Sequence, residues 1–494
     1  MSLPATTPPE SVLLEGSSKE RAAGDPSHEI ATELIRNFFK YLYPVPSYAF
    51  LHPSTTLAKY QKGTLERPLV LAICALTSFH VAGPSYLAVG REKSDEWVSN
   101  AEETIWRRVE HPSMPRLQAL LLIIGYRMAT GGYEKAFMLT AIAARAASAM
   151  GLNHEHMDLD PISGETRRRT IWCFKLLESY FSIGLTEFEL CSFECIYLHP
   201  PSNEDSFGLL CPPGTEDFAI HILRDQNEQG SLNVCICLAS IRRDIMKLTR
   251  ELAVCTEPYL HLKAVTGGLE KALLELKKEM PNQAAIPEAD LKNLIQSPWL
   301  PRHIMMVTLW HGCYFDLYRI FLPGYPEAPP DVVVSTIDAN FVQTAKRACI
   351  EHAVAAVTLF CDLDQTCTEP RLLELATGVC VYHAIRLILF TAHSSTEPDI
   401  IDIEFAVRRA EVCLAAIKRF FHGLALAQPI LNDIARLIEA CSSSDSPTDS
   451  LSVFHQVNHG RKSDARVLSA AQPRQRLAVH SVLQQARFHT EEPL

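Results

Sequence analysis

Three apolar-periodic segments lie close together in residues 115–182, divided only by glycine-bearing breaks. Gly131-Gly132 separates the first from the second, and Gly151 with Asn153 separates the second from the third. Glycine reaches the left-handed backbone that closes a helix at little steric cost, so these breaks read as helix ends with short connections. In the middle segment Leu139, Ile142, Ala143, Ala146 and Met150 recur at helical spacing, and the alanines around them allow neighbouring helices to approach closely. The third segment places Ile171, Phe174, Leu177 and Phe181 on one stripe, with Trp172 and Leu176 beside it. Helices joined this tightly must turn back on one another. The predicted fold is therefore an array of antiparallel helical hairpins.

The same periodicity recurs along the chain. Asp25-Pro26 reads as a helix start, because aspartate caps and proline suits the first turn. Behind it Ile30, Leu34, Ile35, Phe38, Phe39 and Leu42 form one apolar face. Further helices are predicted at about 66–82, 94–109, 258–280, 301–322, 337–362, 370–393, 403–421 and 427–440. Val234, Leu238, Ile241, Ile245, Leu248 and Leu252 make a narrow heptad seam, read as internal core before dimer interface. With 47% hydrophobic and 21% charged residues among 494, there is ample apolar surface for a core. The expected class is all-α: one large helical domain over 25–441. Residues 1–24, rich in Pro, Ser and Glu, are expected to be disordered. Residues 442–494 read as a Ser-rich linker and a poorly ordered basic tail, with one short helix near 475–488. No basic start leads into an apolar run, so no secretory signal is expected. The apolar runs at 69–79 and 117–125 fall short of the ~20 residues a membrane span needs, so no membrane partner is expected.

Charge and motifs exclude several functions. A net charge of −11 opposes direct clamping of duplex DNA, which depends on Lys and Arg neutralising phosphates. The fifteen cysteines are scattered and contain no Cys-x-x-Cys pair, so neither a zinc cluster nor a disulfide framework is legible in these residues. Cys235 and Cys237, two apart on a helix, point away from each other. The run His154-Glu155-His156-Met157-Asp158-Leu159-Asp160 has metal-ligand types, but bunched and without a distant partner. It reads as a solvated loop, with His154-Glu155 closing over Gly151 and Asp160-Pro161 starting the next helix. Arg167-Arg168-Arg169 at a helix start read as partners of Glu165, Asp158 or Asp160 rather than of phosphate. The acidic-aromatic stretches at 204–207 and 216–218 read as surface loop. No Gly-x-Ser-x-Gly elbow, His-Glu-x-x-His helix or phosphate-cradling glycine loop is present, and Asp362-Leu363-Asp364 falls short of a magnesium motif. No catalytic residue, cofactor or metal is therefore assigned, and an all-α enzyme is the third reading.

The run Ala144-Arg145-Ala146 ahead of Met150-Gly151-Leu152, then Glu165, Arg167-Arg168-Arg169 and Trp172, resembles the signature of the fungal-specific transcription factor regulatory region. That region is the middle homology domain of the binuclear-zinc-cluster regulators. The stretches 38–44, 50–52, 68–76 and 199–207 resemble other parts of the family in the same order, and 317–323 adds weaker support. The resemblance implies a nuclear transcriptional regulator, acting on a metabolic or biosynthetic gene cluster. Here the zinc cluster is missing, and Cys74 is the first cysteine. It gives Arg145, Gly151, Glu165, Arg167, Arg168, Arg169 and Trp172 a structural role, tying hairpins together. It implies protein partners in the transcription machinery or among related regulators, dimerisation, a small-molecule effector, and DNA reached only through a missing module or a partner. The alternative is a co-regulator or decoy that binds complete family members without touching DNA. A six-cysteine cluster in the reading frame upstream of Met1 would separate the two. Two departures from the family bear on an inherited effector contact: Asn153 stands where a His is usual, and Gly184-Leu185-Thr186 replaces Gly-Arg-Pro.

Overall fold

A computed structural model describes residues 24–81, 90–182, 184–209, 230–253, 255–280, 288–369, 371–394, 401–443, 454 and 482–486. Among these residues the elements are helices, and the only pairing of extended backbone is an isolated parallel bridge between His154 and Tyr197. The all-α class holds.

The amino-terminal half comprises α1 (His28–Asn37), α2 (Pro53–Gln61), α3 (Arg67–His80), α4 (Gly90–Trp106), α5 (Met114–Thr130), α6 (Tyr133–Ala149), α7 (Pro161–Ser182) and the short α8 (Glu204–Leu209). Proline stands in the first turn of α2, α3 and α5, where its missing N–H costs no hydrogen bond. Gly131 closes α5 at φ 89°, and Gly151 follows α6 at φ 59°, so both predicted breaks are left-handed turns. The first helix begins differently from the sequence expectation. Ser27 caps it, accepting from the Ile30 N–H, while Asp25 forms a two-point ion pair with Arg67 at 2.6–2.7 Å. A carboxylate with a guanidinium fork within reach gains more from that pair than from a cap. The apolar face of α1 runs on through a π-helical turn at Phe38–Leu42, which brings Tyr43 inward.

The carboxy-terminal half comprises α9 (Ser231–Ala253), α10 (Leu262–Lys278), α11 (Glu288–Gln296), α12 (Leu300–Tyr318), α13 (Asp331–Val334), α14 (Ala339–Thr366), α15 (Leu375–Ser394), α16 (Ile403–Phe420) and α17 (Ala427–Ser443). The heptad seam of α9 is internal: Val234, Leu238, Ile245, Leu248 and Leu252 are buried in this half's core, which α12 shares. Helix α15 is long and apolar enough to cross a bilayer, longer than any apolar run read from the sequence. However, 83% of its most apolar window is buried within the fold, as in a central core helix.

The two halves have separate cores that meet along α7, α9 and the start of α12. Two points beyond Ser443 are also buried, one on each half. Phe454 is buried against Phe390 of α15, and Val482, in the short α18 (Val482–Gln485), is buried against α6 and α7. The sequence reading for this region is a linker and a poorly ordered tail with one short helix near 475–488, the range in which α18 lies. The remaining predictions for 1–23 and for most of 444–494 lie outside the described residues, as does the stretch 216–218.

Candidate functional site

Helix α7 begins with Asp160, whose side chain accepts from the Ser163 N–H at 3.0 Å. Its first two turns then place Glu165, Arg168 and Arg169 on the side facing the loop 195–209 and the turn 43–50. Glu165 Oε1 accepts from Arg169 Nε and from the Ser202 N–H, both at 2.9 Å, and its other oxygen accepts from Arg168. Arg168 reaches back across the α6–α7 turn to grip Glu155 with Nε and Nη2, at 2.9 and 3.0 Å. Glu155 also accepts from the His199 N–H at 2.9 Å. Burial pushes the Glu155 carboxyl upward, but the Arg168 and His199 bonds outweigh it and hold the group below its usual range.

Arg169 has no exposed surface. Its Nη1 donates to Glu204 Oε1 at 2.8 Å and to the Tyr43 hydroxyl at 3.0 Å, its Nη2 donates to the Ser202 carbonyl at 2.8 Å, and Phe207 covers its face at 4.1 Å. The Tyr43 hydroxyl in turn donates to Glu204 Oε2 at 2.7 Å. A second fully buried arginine, Arg302 at the start of α12, donates to the same Glu204 Oε1 and to the carbonyls of Pro44 and Tyr43 at 3.0 and 3.2 Å. The Trp299 ring lies 4.4 Å from its guanidinium carbon. Glu204 thus joins an arginine of one half to an arginine of the other. Burial raises its pKa, yet Arg169 and Arg302 dominate and hold it at about 2. The Tyr43 hydroxyl goes the other way: burial and the Glu204 charge push it well above its ordinary value. The full set balances three carboxylates (Glu155, Glu165, Glu204) against three guanidiniums (Arg168, Arg169, Arg302). Charges this deep persist only when paired and hydrogen-bonded.

The remaining signature residues sit around this joint. Trp172, almost buried, donates its ring N–H to the His199 carbonyl at 2.9 Å. Arg167 donates to the Met150 carbonyl and contacts His156, which itself meets the Gly151 carbonyl at 3.1 Å. Both histidines close over Gly151, His156 through its ring and His154 through its N–H, which donates to the same carbonyl at 3.4 Å, while the His154 ring stacks on Tyr197. Arg145 does not join the group: it is exposed on α6, and the structure gives it no ion pair or hydrogen bond among the described residues. Neither Asp158 nor Asp160 pairs with the arginines. Glu204, read from sequence as surface loop, is buried, and so is Phe207. Asp364, weighed earlier for a magnesium motif, pairs with Arg419 of α16 at 2.6 Å.

A second contact between the halves lies nearby. Glu374 accepts from the Ser47 N–H at 3.1 Å and from the Tyr180 hydroxyl at 2.8 Å. Ser47, Tyr180 and Glu374 of this contact also line a cavity of about 250 Å³ that α7, α9, α12 and α15 enclose, with mixed apolar and cationic walls.

Residues 35–240 match the model of the fungal specific transcription factor domain. The match takes in every residue of the ionic joint except Arg302. The chain is also similar to a Zn(2)-C6 fungal-type transcription factor, FTF1a, of Fusarium oxysporum f. sp. lycopersici. The two are 31% identical over 179 residues, 33% of this chain and 16% of the relative. Another, FTF1c of the same fungus, is 29% identical over 205 residues, 39% of this chain and 22% of the relative. An uncharacterized transcriptional regulatory protein of Schizosaccharomyces pombe is 26% identical over 176 residues, 32% of this chain and 17% of the relative. The chain thus spans about a fifth or less of the length of these relatives. They are named as transcription factors and regulators, not as enzymes. No solved structure matches the chain.

Proposed function

We propose that the chain is a nuclear regulator of transcription, in which residues 25–441 act as one helical regulatory unit. The domain match over 35–240, together with transcription-factor relatives in two fungi, carries this reading. In this account the Arg169–Glu204–Arg302 joint fixes how the two halves sit together, so surfaces offered to the transcription machinery or to related regulators depend on it. With net charge −11 and no zinc-cluster cysteines in these residues, the unit reaches promoters through a separate module or a partner rather than by its own base contacts. A small-molecule effector acting on the helical unit is part of the proposal.

Chromatin immunoprecipitation of the tagged chain from its own cells tests this reading. Enrichment at a discrete set of promoters is expected. A nuclear or cytoplasmic protein with no enrichment above an untagged control would overturn it.

A further inference from the structure

We propose that the cavity between α7, α9, α12 and α15 is a binding site for a small organic anion, a carboxylate carried on an apolar body. The proposal rests on how unevenly the cations around it are satisfied. Lys175 is held by Glu178 and Glu189, Arg243 by Glu189 and Glu194, and Arg386 by Asp433 and the Phe454 carbonyl. Arg242 and Arg319, which also line the cavity, differ: they share the Asp316 carboxylate of α12, to which Arg319 adds only a longer contact with Glu327.

Arg242 uses one of its N–H groups, Nε, on Asp316 Oδ2 at 2.9 Å. A guanidinium carries five such donors. Arg319 is fully buried, and its partners are poor. Nη1 lies 2.9 Å from Asp316 Oδ1, but that oxygen accepts no hydrogen bond, and the His383 ring nitrogen is 3.4 Å away. Nη2 meets only the Met246 sulfur, at 3.5 Å. Nε makes no hydrogen bond and is 3.7 Å from Glu327. Buried polar groups are nearly always bonded, so a buried arginine this weakly matched beside an open cavity marks a place for an acceptor. Two acids line the cavity: Glu374 is engaged by Ser47 and Tyr180, and Glu327, 3.7 Å from Arg319, makes no hydrogen bond to it through its buried Oε2.

The rest of the wall sets the ligand's body. Leu176, Met246, Leu309 and Val379 give it apolar surface, and about 250 Å³ falls just below the ~300–1,000 Å³ usual for ligand pockets. A bare inorganic ion would leave that apolar surface uncovered. A carboxylate on a ring or short alkyl chain meets both demands, with its two oxygens matching the flat donor fork of an arginine. This deepens the effector part of the proposed function. It is read on the purified chain, so its failure leaves the promoter experiment standing, and the converse holds as well.

The test is calorimetric titration and thermal melting of the full 494-residue chain with phenylacetate and with octanoate. Neutral 2-phenylethanol and octanol, and inorganic phosphate, serve as comparisons. Saturable binding of at least one of the two carboxylates is expected, with a raised melting temperature and no such effect from the neutral or inorganic probes. Arg242→Gln, read under conditions where its circular dichroism and cooperative melt show a folded chain, should weaken binding about thirtyfold or more, as expected when a charged partner is lost from a desolvated pair. Ala239→Leu fills the cavity from α9 and should abolish binding without lowering the melting temperature. Equal binding of alcohol and acid, equal binding of phosphate alone, failure of both carboxylates, or an unchanged affinity in Arg242→Gln would each overturn the proposal.

Discussion

Replacing Glu204 by Gln probes the joint with the least change in shape. The amide keeps the volume and one oxygen acceptor but removes the only carboxylate bonded to Arg302 among the described residues. Arg169 retains Glu165 as a partner. The variant therefore leaves one fully buried guanidinium without a counter-charge, a change that costs about 3–5 kcal/mol. Proton linkage gives a second estimate. The folded carboxyl sits at about 2, below the ~4.3 of an ordinary glutamate, so ionised Glu204 favours the folded state. That contribution is complete above about pH 5 and is lost as the pH falls toward 2. The gap corresponds to about 3 kcal/mol at 1.36 kcal/mol per pH unit. Both routes predict that Glu204→Gln lowers the urea unfolding free energy at pH 7 by about 3–5 kcal/mol. They also predict that the variant's stability falls less steeply than wild type between pH 5 and 2. Tyr43→Phe, which leaves the charges in place, should cost about 1–3 kcal/mol, and the double variant less than the sum, because both side chains serve one network. Unfolding of Glu204→Gln within about 1 kcal/mol of wild type, with the same acid slope, would refute the assignment of the joint as a buried, charged tie.

Arg168→Ala removes the grip on Glu155 and the second bond to Glu165, and should lower stability by about 1–3 kcal/mol; an unchanged melting curve would mean the arginine serves a partner instead. Phe454→Ala should cost about 3 kcal/mol if the segment beyond α17 docks against Phe390, and nothing measurable if it does not. The isolated chain should bind duplex DNA no better than about 10⁻⁴ M at physiological salt, and a gel-shift titration showing sequence-selective submicromolar binding would contradict that.

Much of this architecture is legible in the sequence because helices announce themselves locally. The glycine breaks, the stripe of α7 and the seam of α9 are short-range patterns, and each appears where the spacing placed it. The arginine triplet was legible as a knot of ion pairs, but only Glu165 among its expected acids takes part. Glu204 and Arg302 were not legible. They stand 98 residues apart, no periodicity links them, and an acid in a proline-bearing loop ordinarily lies in water. Asp25 was misjudged for a related reason: its cap competes with Arg67, 42 residues away, and the distant partner wins. Arg145 shows the converse, a residue singled out by pattern whose side chain stands apart from the joint. Local pattern sets where helices begin and which face turns inward. Which buried charges meet depends on the packing of the two halves, and that is a property of the folded chain.

We propose that this helical unit controls transcription without reading DNA itself. This is tested most directly by tethering the chain to an unrelated DNA-binding module above a reporter gene and comparing transcript with the module alone. A change in transcription is expected with the intact chain, and loss of that change in Glu204→Gln at a temperature where the joint has opened. Reporter output indistinguishable from the bare module, with the intact fusion present in the nucleus and bound at its site, would contradict it.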